Sequence, residues 1–299
     1  MSYMNTYDVM NKYLSEVEIV LAENTAKYYR SILTEFARLC NNEQADRDKV
    51  VQYMRTLKER GNSNNSIRVK INVVKTFVKW ATDNGCYDTD FAAGVPLPGP
   101  EYKTADRMTK SEVKTLLHMD AKKGAHQVLR NKAIMELAIV TASRVSAICA
   151  LTRDDVDLVN KTVTFRHTKR NKELVMPLTN SLCKTLTDYI YHARPKELTD
   201  KDPLFTGEHR AKDGTYKAMS RNAVYLICKA LTEQACGRAL SPHKLRHTSA
   251  SLQIESGKLT IDEISQNLGH SSVTTTQRYA KRLNDTPRKT ATVAVFEEL

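Results

Sequence analysis

Ser241-Pro242-His243-Lys244-Leu245-Arg246-His247-Thr248 is the stretch from which the rest of the chain can be read. A serine at the cap and a proline at the first helical position form a start signal, because proline lacks an N–H that the first turn leaves unsatisfied in any case. Histidine and arginine on this helix put cationic groups on a rigid element. Downstream, Thr260-Ile261-Asp262-Glu263 is a capping box for another helix, and Gly269 is placed to end it. Leu268-Gly269-His270 closes that segment, and Tyr279 follows nine residues after His270. A helix turns by about 100° per residue, so on one straight helix His270 and Tyr279 would face opposite ways. They converge only if His270 precedes the helix or the segment bends; Ser271-Ser272 can supply a fresh cap, and Val273-Thr274-Thr275-Thr276 weakens a helix.

Upstream, the same half of the chain mixes helix and strand. Thr109-Lys110-Ser111-Glu112 is a capping box ahead of Val113, Leu116 and Leu117. A long helix is expected over 127–140 and a short one from Val145 to Leu151, just after Arg144. Then the period changes. Val163 and Phe165 alternate with polar residues, Leu174-Val175-Met176 leads to Pro177, and Thr168-Lys169-Arg170-Asn171-Lys172 lies between as a polar turn. This predicts a small antiparallel sheet with Lys169 at a hairpin tip. Helices resume over 180–193 and 220–235.

Gly94-Val95-Pro96-Leu97-Pro98-Gly99-Pro100 stops any helix, and the domain boundary belongs there. The sequence predicts a helical first domain over 1–98, a linker over 99–106, and a second domain over 107–299 with a tail from about 283. The first domain reads as four helices: 7–21; one capped by Asn24 or Thr25 with Tyr29, Ile32, Leu33, Phe36 and Leu39 on one face; Asp46 to Lys58; and one after Asn62-Ser63-Asn64-Asn65. On the last, Ile67, Ile71, Val74 and Val78 repeat at helical spacing. Arg68, Asn72, Lys75 and Lys79 form the opposite stripe. That stripe reads either as a solvated face or as a helix laid on DNA phosphates, with Asn72 able to reach a base edge.

Lysine and arginine number 46 against 34 acidic residues, a net charge of +12 over 299 residues. The surplus is spread along the chain and suits a polyanion that the protein encloses, although solubility alone also accounts for excess charge. No apolar run reaches the roughly 18 residues of a membrane span, and the N-terminus shows no signal peptide, so the expected location is the cytoplasm, with the nucleoid. The six cysteines, Cys40, Cys86, Cys149, Cys183, Cys228 and Cys236, form no Cys-x-x-Cys pair and are expected as reduced thiols, Cys149 and Cys228 as small core residues.

The residue types suggest a chemistry. A phenol titrates near 10, so Tyr279 is a poor nucleophile unless its developing charge is stabilised. Two arginines, with Arg144 and Arg246 as candidates, would stabilise it and neutralise a target phosphate through paired donors. A deoxyribose 5′ oxygen leaves badly unless protonated, and Lys169 is the candidate general acid. His243 and His270 complete a phosphate cage, and His243 is also a candidate to accept the tyrosine proton. His243 and His247 stand four apart, a spacing that permits zinc, but no third ligand sits at a strong spacing. The arrangement calls for no metal and no cofactor. Each group alone has an ordinary reading as a cap, a solvated turn or a packing residue.

As a set they resemble the tyrosine recombinase (phage integrase-like) family over nearly the whole chain. His243-Lys244-Leu245-Arg246-His247-Thr248 and Leu268-Gly269-His270, with Tyr279 beyond, are similar to its second box. Lys169-Arg170-Asn171-Lys172-Glu173 running into Val175-Met176-Pro177-Leu178 is similar to its lysine hairpin, and register assigns the role to Lys169 rather than Lys172. The first box departs from the pattern: Thr-Gly-x-Arg is usual, with an acidic residue three beyond the arginine, whereas this chain has Thr141-Ala142-Ser143-Arg144 and Ala147. The resemblance implies a SAM-like helical domain that grips a core site and a mixed α+β catalytic domain, together clamping duplex DNA. It implies site-specific cleavage and rejoining of DNA through a 3′-phosphotyrosine at Tyr279, with catalytic residues Arg144, Lys169, His243, Arg246 and His270. The partners it implies are a DNA site, a dimer per site, a tetramer in synapsis with a Holliday junction, and accessory proteins. The apolar end Val293-Ala294-Val295-Phe296 would pass to a neighbouring protomer or pack on its own domain. Because the core-binding pattern begins almost at Met1, a simple Xer-like enzyme, a small integrase or a transposon resolvase is expected, without an arm-binding domain. The alternatives are a type IB topoisomerase-like enzyme and a catalytically silent DNA-binding regulator.

Overall fold

The computed structural model describes residues 4–41, 43–101, 106–119, 126–166, 173–207 and 209–269. It divides into two compact units, Met1–Thr104 and Ala105–Leu299. Among the described residues the protein is mainly helical with one small antiparallel sheet, and no helix is long and apolar enough to cross a membrane.

The first unit consists of α1 (Thr6–Val20), α2 (Glu23–Leu39), α3 (Arg47–Glu59) and α4 (Asn64–Asp83). Asn5, Asp46 and Ser63 cap α1, α3 and α4, their side chains accepting from the amides of Asp8, Lys49 and Ser66. Two starts differ from the sequence reading. Neither Asn24 nor Thr25 caps α2; Ala22 holds the cap position with no side-chain bond, and its carbonyl accepts from Thr25 and Ala26. The polar run before α4 is not a loop ahead of the helix: Ser63 is the cap, and Asn64 and Asn65 are already in the first turn. The apolar faces meet in one core that includes Val9, Leu14, Phe36, Leu57, Ile71 and Phe77, all fully buried. Each such side chain contributes roughly 1.5–3 kcal/mol, and α4 packs against α1, α2 and α3.

The second unit runs α5 (Lys110–His118), α6 (His126–Thr141), α7 (Val145–Cys149), a 3₁₀ turn (Arg153–Asp155), β1 (Val156–Asp157), β2 (Thr162–Phe165), β3 (Leu174–Pro177), α8 (Asn180–His192), α9 (Arg221–Cys236), α10 (Pro242–Glu255) and α11 (Ile261–Asn267). The strands lie in the order β1-β2-β3, all antiparallel, with Val163 opposite Met176 and Phe165 opposite Leu174. Val163 and Phe165 point inward, the alternation expected of a half-buried strand. The capping boxes at Thr109 and Thr260 both form, and Pro242 sits in the first turn of α10, but Ser241 makes no side-chain cap bond. α6 is buried on nearly every side and packs against α8 and α10. Cys228 is buried and donates to the Leu240 carbonyl at 3.2 Å, whereas Cys149 is only partly covered.

Candidate active site

Arg144 is placed by a turn between two helices. α6 ends at Thr141, whose hydroxyl donates to the Leu137 carbonyl at 2.7 Å and accepts from the Ser143 amide at 3.3 Å. Ala142, fully buried, adopts φ +50°, the left-handed region, and this reverses the chain. Arg144 then takes the N-cap position of α7 without using its side chain as a cap. The side chain reaches across instead, and Nη2 donates to the Gly269 carbonyl at 3.2 Å.

Arg246 approaches from the other side. It lies on α10, is 5 % exposed, and is flanked by the buried Leu245 and Thr248. Its Nη1 donates to the Ala142 carbonyl at 2.7 Å, and its Nη2 donates to the Leu268 carbonyl. One guanidinium thus joins the α6–α7 turn to the end of α11. Gly269 adopts φ +56°; an added Cβ would lie 3.8 Å from Arg144 Nη1, so backbone conformation rather than space calls for glycine here.

Arg144 and Arg246, 102 residues apart in sequence, line one cleft of about 120 Å³ with Ala147, Phe165, Leu174 and Gly269. Phe165 and Leu174 form the last described pair of the β2–β3 hairpin, so the root of the connection that carries Lys169 lies at the arginine cleft. Neither residue was a sequence candidate; their alternating apolar pattern marks a strand and nothing more. A larger open cavity of about 640 Å³ lies beside Arg130, Tyr189 and Arg194. Its size does not make it the better site, because Arg194 is committed to the carbonyls of Leu198, Thr199, Asp202 and Pro203.

His243 and His247 face each other one turn apart on α10, Nε2 to Nε2 at 3.0 Å, with rings 4.5 Å apart at 81°. One of the two nitrogens must donate and the other accept. Burial of the ring, then the charges of Arg246, Lys244 and Arg144, push His243 below the ordinary imidazole value. A neutral imidazole at neutral pH is able to take up a proton. Lys169, His270 and Tyr279 lie outside the described residues, as does the tail from residue 283.

The α4 stripe divides. Arg68 is half-buried and donates to the Pro98 carbonyl at 2.8 Å, and Lys75 donates to the carbonyls of Ala93 and Val95 at 3.0 and 2.7 Å. These two side chains fasten the proline-rich segment to the helix. Asn72 and Lys79 are exposed, Lys79 pairing with Asp83 at 3.2 Å.

A profile of the phage integrase family matches residues 106–285, and one of the phage integrase N-terminal SAM-like domain matches residues 11–85. The chain is 28 % identical to the tyrosine recombinase XerC of Roseiflexus sp. (strain RS-1), covering 93 % of this chain and 92 % of that one. It is 32 % identical to the tyrosine recombinase XerD of Bifidobacterium longum (strain NCC 2705), covering 77 % and 75 %. A lambda integrase tetramer bound to a Holliday junction shares the fold, with a TM-score of 0.70 and 16 % identity over 93 % of this chain and 78 % of that one. With two arginines meeting in one cleft and both units matched, the chain belongs to the phage integrase family, as a tyrosine recombinase of the Xer-like type.

Proposed function

We propose that this protein is a site-specific recombinase that cuts and rejoins duplex DNA through a covalent bond between Tyr279 and a 3′ phosphate. The observation that carries the reading is the convergence of Arg144 and Arg246 on Leu268 and Gly269, the two residues that follow α11 and lead in sequence to His270 and Tyr279. The phenol oxygen of Tyr279 attacks phosphorus, and the bond from phosphorus to the 5′ oxygen breaks. His243 takes the phenol proton, and Lys169 protonates the departing oxygen. Arg144, Arg246 and His270 donate to the non-bridging oxygens, which carry more charge in the transition state than before it; a positioned donor of this kind is worth about 3–4 kcal/mol. Because the phosphotyrosine keeps the energy of the broken bond, attack by a second 5′ hydroxyl reseals the strand without ATP.

The substrate is a DNA recombination site bound by a dimer, and two sites meet in a tetramer that exchanges strands through a Holliday junction. The lambda integrase tetramer on such a junction supports this assembly. Asn72 and Lys79 on α4 contact DNA directly, while Arg68 and Lys75 contribute charge from where they fasten the chain. The Val293–Phe296 tail passes to a neighbouring protomer. The test is a nicked suicide duplex carrying the protein's own site. The wild type is expected to accumulate a covalent adduct on that site, and Tyr279→Phe none, with binding retained. An adduct on arbitrary sequences would instead indicate a topoisomerase, and no wild-type adduct on any sequence a silent binder.

A further inference from the structure

The acidic residue expected three positions beyond Arg144 is absent, and Ala147 stands there. Its methyl leaves a hollow of about 70 Å³, lined also by Ala150, Thr152, Asp155, Phe165 and Arg166, and Ala147 lines the arginine cleft on its other side. Asp155 supplies a carboxylate to this hollow from below. Its side chain is only 5 % exposed. One oxygen accepts from the Thr152 amide at 2.9 Å and competes with Asp154 for the Thr152 hydroxyl proton, and the other accepts from Arg166 Nε at 2.5 Å. Asp154 stands farther from Arg166, at 4.0 Å. A carboxylate this deeply buried needs its ion pair, so Arg166 is held firmly even though its own side chain is half exposed.

The position of Arg166 matters. Phe165 is the last residue of β2, Arg166 follows it, and Lys169 is three residues further on. Three residues reach at most about 10 Å. A tether at Arg166 therefore confines where Lys169 can go. The other end of the tether is the 3₁₀ turn that follows α7, the helix whose N-cap is Arg144.

We propose that Asp155 is a positioning residue for the cleavage reaction: through Arg166 it fixes the exit of β2, and with it the reach of Lys169 to the leaving oxygen. The inference rests on the reading of Lys169 as the general acid. It assigns a task to two residues that do not touch the phosphate themselves.

The leaving group provides the test. The full-length protein is given two suicide duplexes, one with an ordinary scissile phosphodiester and one with the bridging 5′ oxygen replaced by sulfur. A thiolate departs without being protonated, so misplacement of a general acid should matter only for the oxygen substrate. Asp155→Asn keeps the shape and an acceptor for Thr152 but loses the charge. Arg166→Gln leaves all the Thr152 bonds in place and decides the matter if Asp155→Asn does not fold. Misplacing a catalytic group by about 1 Å costs roughly 100-fold, and a general acid contributes about 100- to 10,000-fold. Both variants are therefore expected to cleave the oxygen substrate about 10- to 100-fold more slowly than wild type, with DNA binding unchanged, and the sulfur substrate at the wild-type rate. Equal slowing on both substrates, or none on either, overturns the proposal. Lys169→Ala is the companion control. If it is slow on oxygen and normal on sulfur while Arg166→Gln behaves as wild type, only the positioning claim falls. If Lys169→Ala itself cleaves the oxygen substrate normally, the general-acid reading falls and the positioning claim with it.

Discussion

Ala142→Gly should leave stability almost unchanged, although it removes a methyl group from a fully buried site. Ala142 sits at φ +50° with no exposed surface. A left-handed conformation costs an L-residue about 1–2 kcal/mol, and glycine is spared it. Against that, deleting the methyl loses about 0.8 kcal/mol of burial, and the freer unfolded chain costs about 0.4–1 kcal/mol more. At their mid-values the two sides cancel to within about 0.5 kcal/mol. The backbone carbonyl that accepts from Arg246 is retained, so adduct formation should persist. Ala142→Val should behave in the opposite way. A β-branched residue is a genuine outlier in this region, and two extra methyls in a filled site add about 1–3 kcal/mol of overpacking. Urea denaturation of the full chain, followed by probes in the second unit, measures both. A loss of about 1.5 kcal/mol or more for Ala142→Gly would match the methyl and entropy terms without any relief of strain, and would refute the left-handed turn as the device that aims Arg144.

Arg246→Lys keeps the charge, but an ammonium gathers its donors at one point, whereas the guanidinium reaches the carbonyls of Ala142 and Leu268 from two separate nitrogens, so one of the two carbonyls should keep a bond. Leaving the other buried and unsatisfied should cost the second unit about 1–3 kcal/mol, read as a lower urea midpoint, while the first unit melts as before. No change in either midpoint would mean that water replaces the bond. His243 supplies a pH test. Its folded value is depressed, so the unfolded chain binds the proton first as pH falls, and stability drops from the ordinary 6.5 downward towards the lower folded value. His243→Gln should flatten that slope in urea titrations between about pH 5 and 7.5; an unaltered slope would remove His243 as its source.

Much of the architecture could be read because local signals and packing agreed. Thr109 and Thr260 each have a glutamate three residues later, and both boxes form. α2 was misplaced by its cap because burial of Ala26 and Ile32 sets where the helix begins, and Ala22 occupies the cap without a side-chain bond. β1 was missed because two residues are too few to show a period. On α4 the spacing of Arg68 and Lys75 marked a basic face, but a periodic stripe carries no record of the carbonyls at positions 93, 95 and 98 that two of its members serve. Arg144 and Arg246 could be named from their neighbours in sequence. Their meeting point, on the backbone at Leu268 and Gly269, could not, since a backbone acceptor leaves no trace in residue identity.

The choice of those acceptors has a price-free benefit for a polyanion. Clamping a cation with aspartate or glutamate would fix its place but cancel a unit of positive potential. Ala142, Leu268 and Gly269 offer peptide dipoles instead, which restrain Arg144 and Arg246 and carry no net charge of their own. A guanidinium has five N–H groups, and among the described residues Arg144 gives one of them, to Gly269. At Arg144 restraint is thereby separated from neutralisation among the described residues, and an incoming phosphodiester meets a guanidinium already in position.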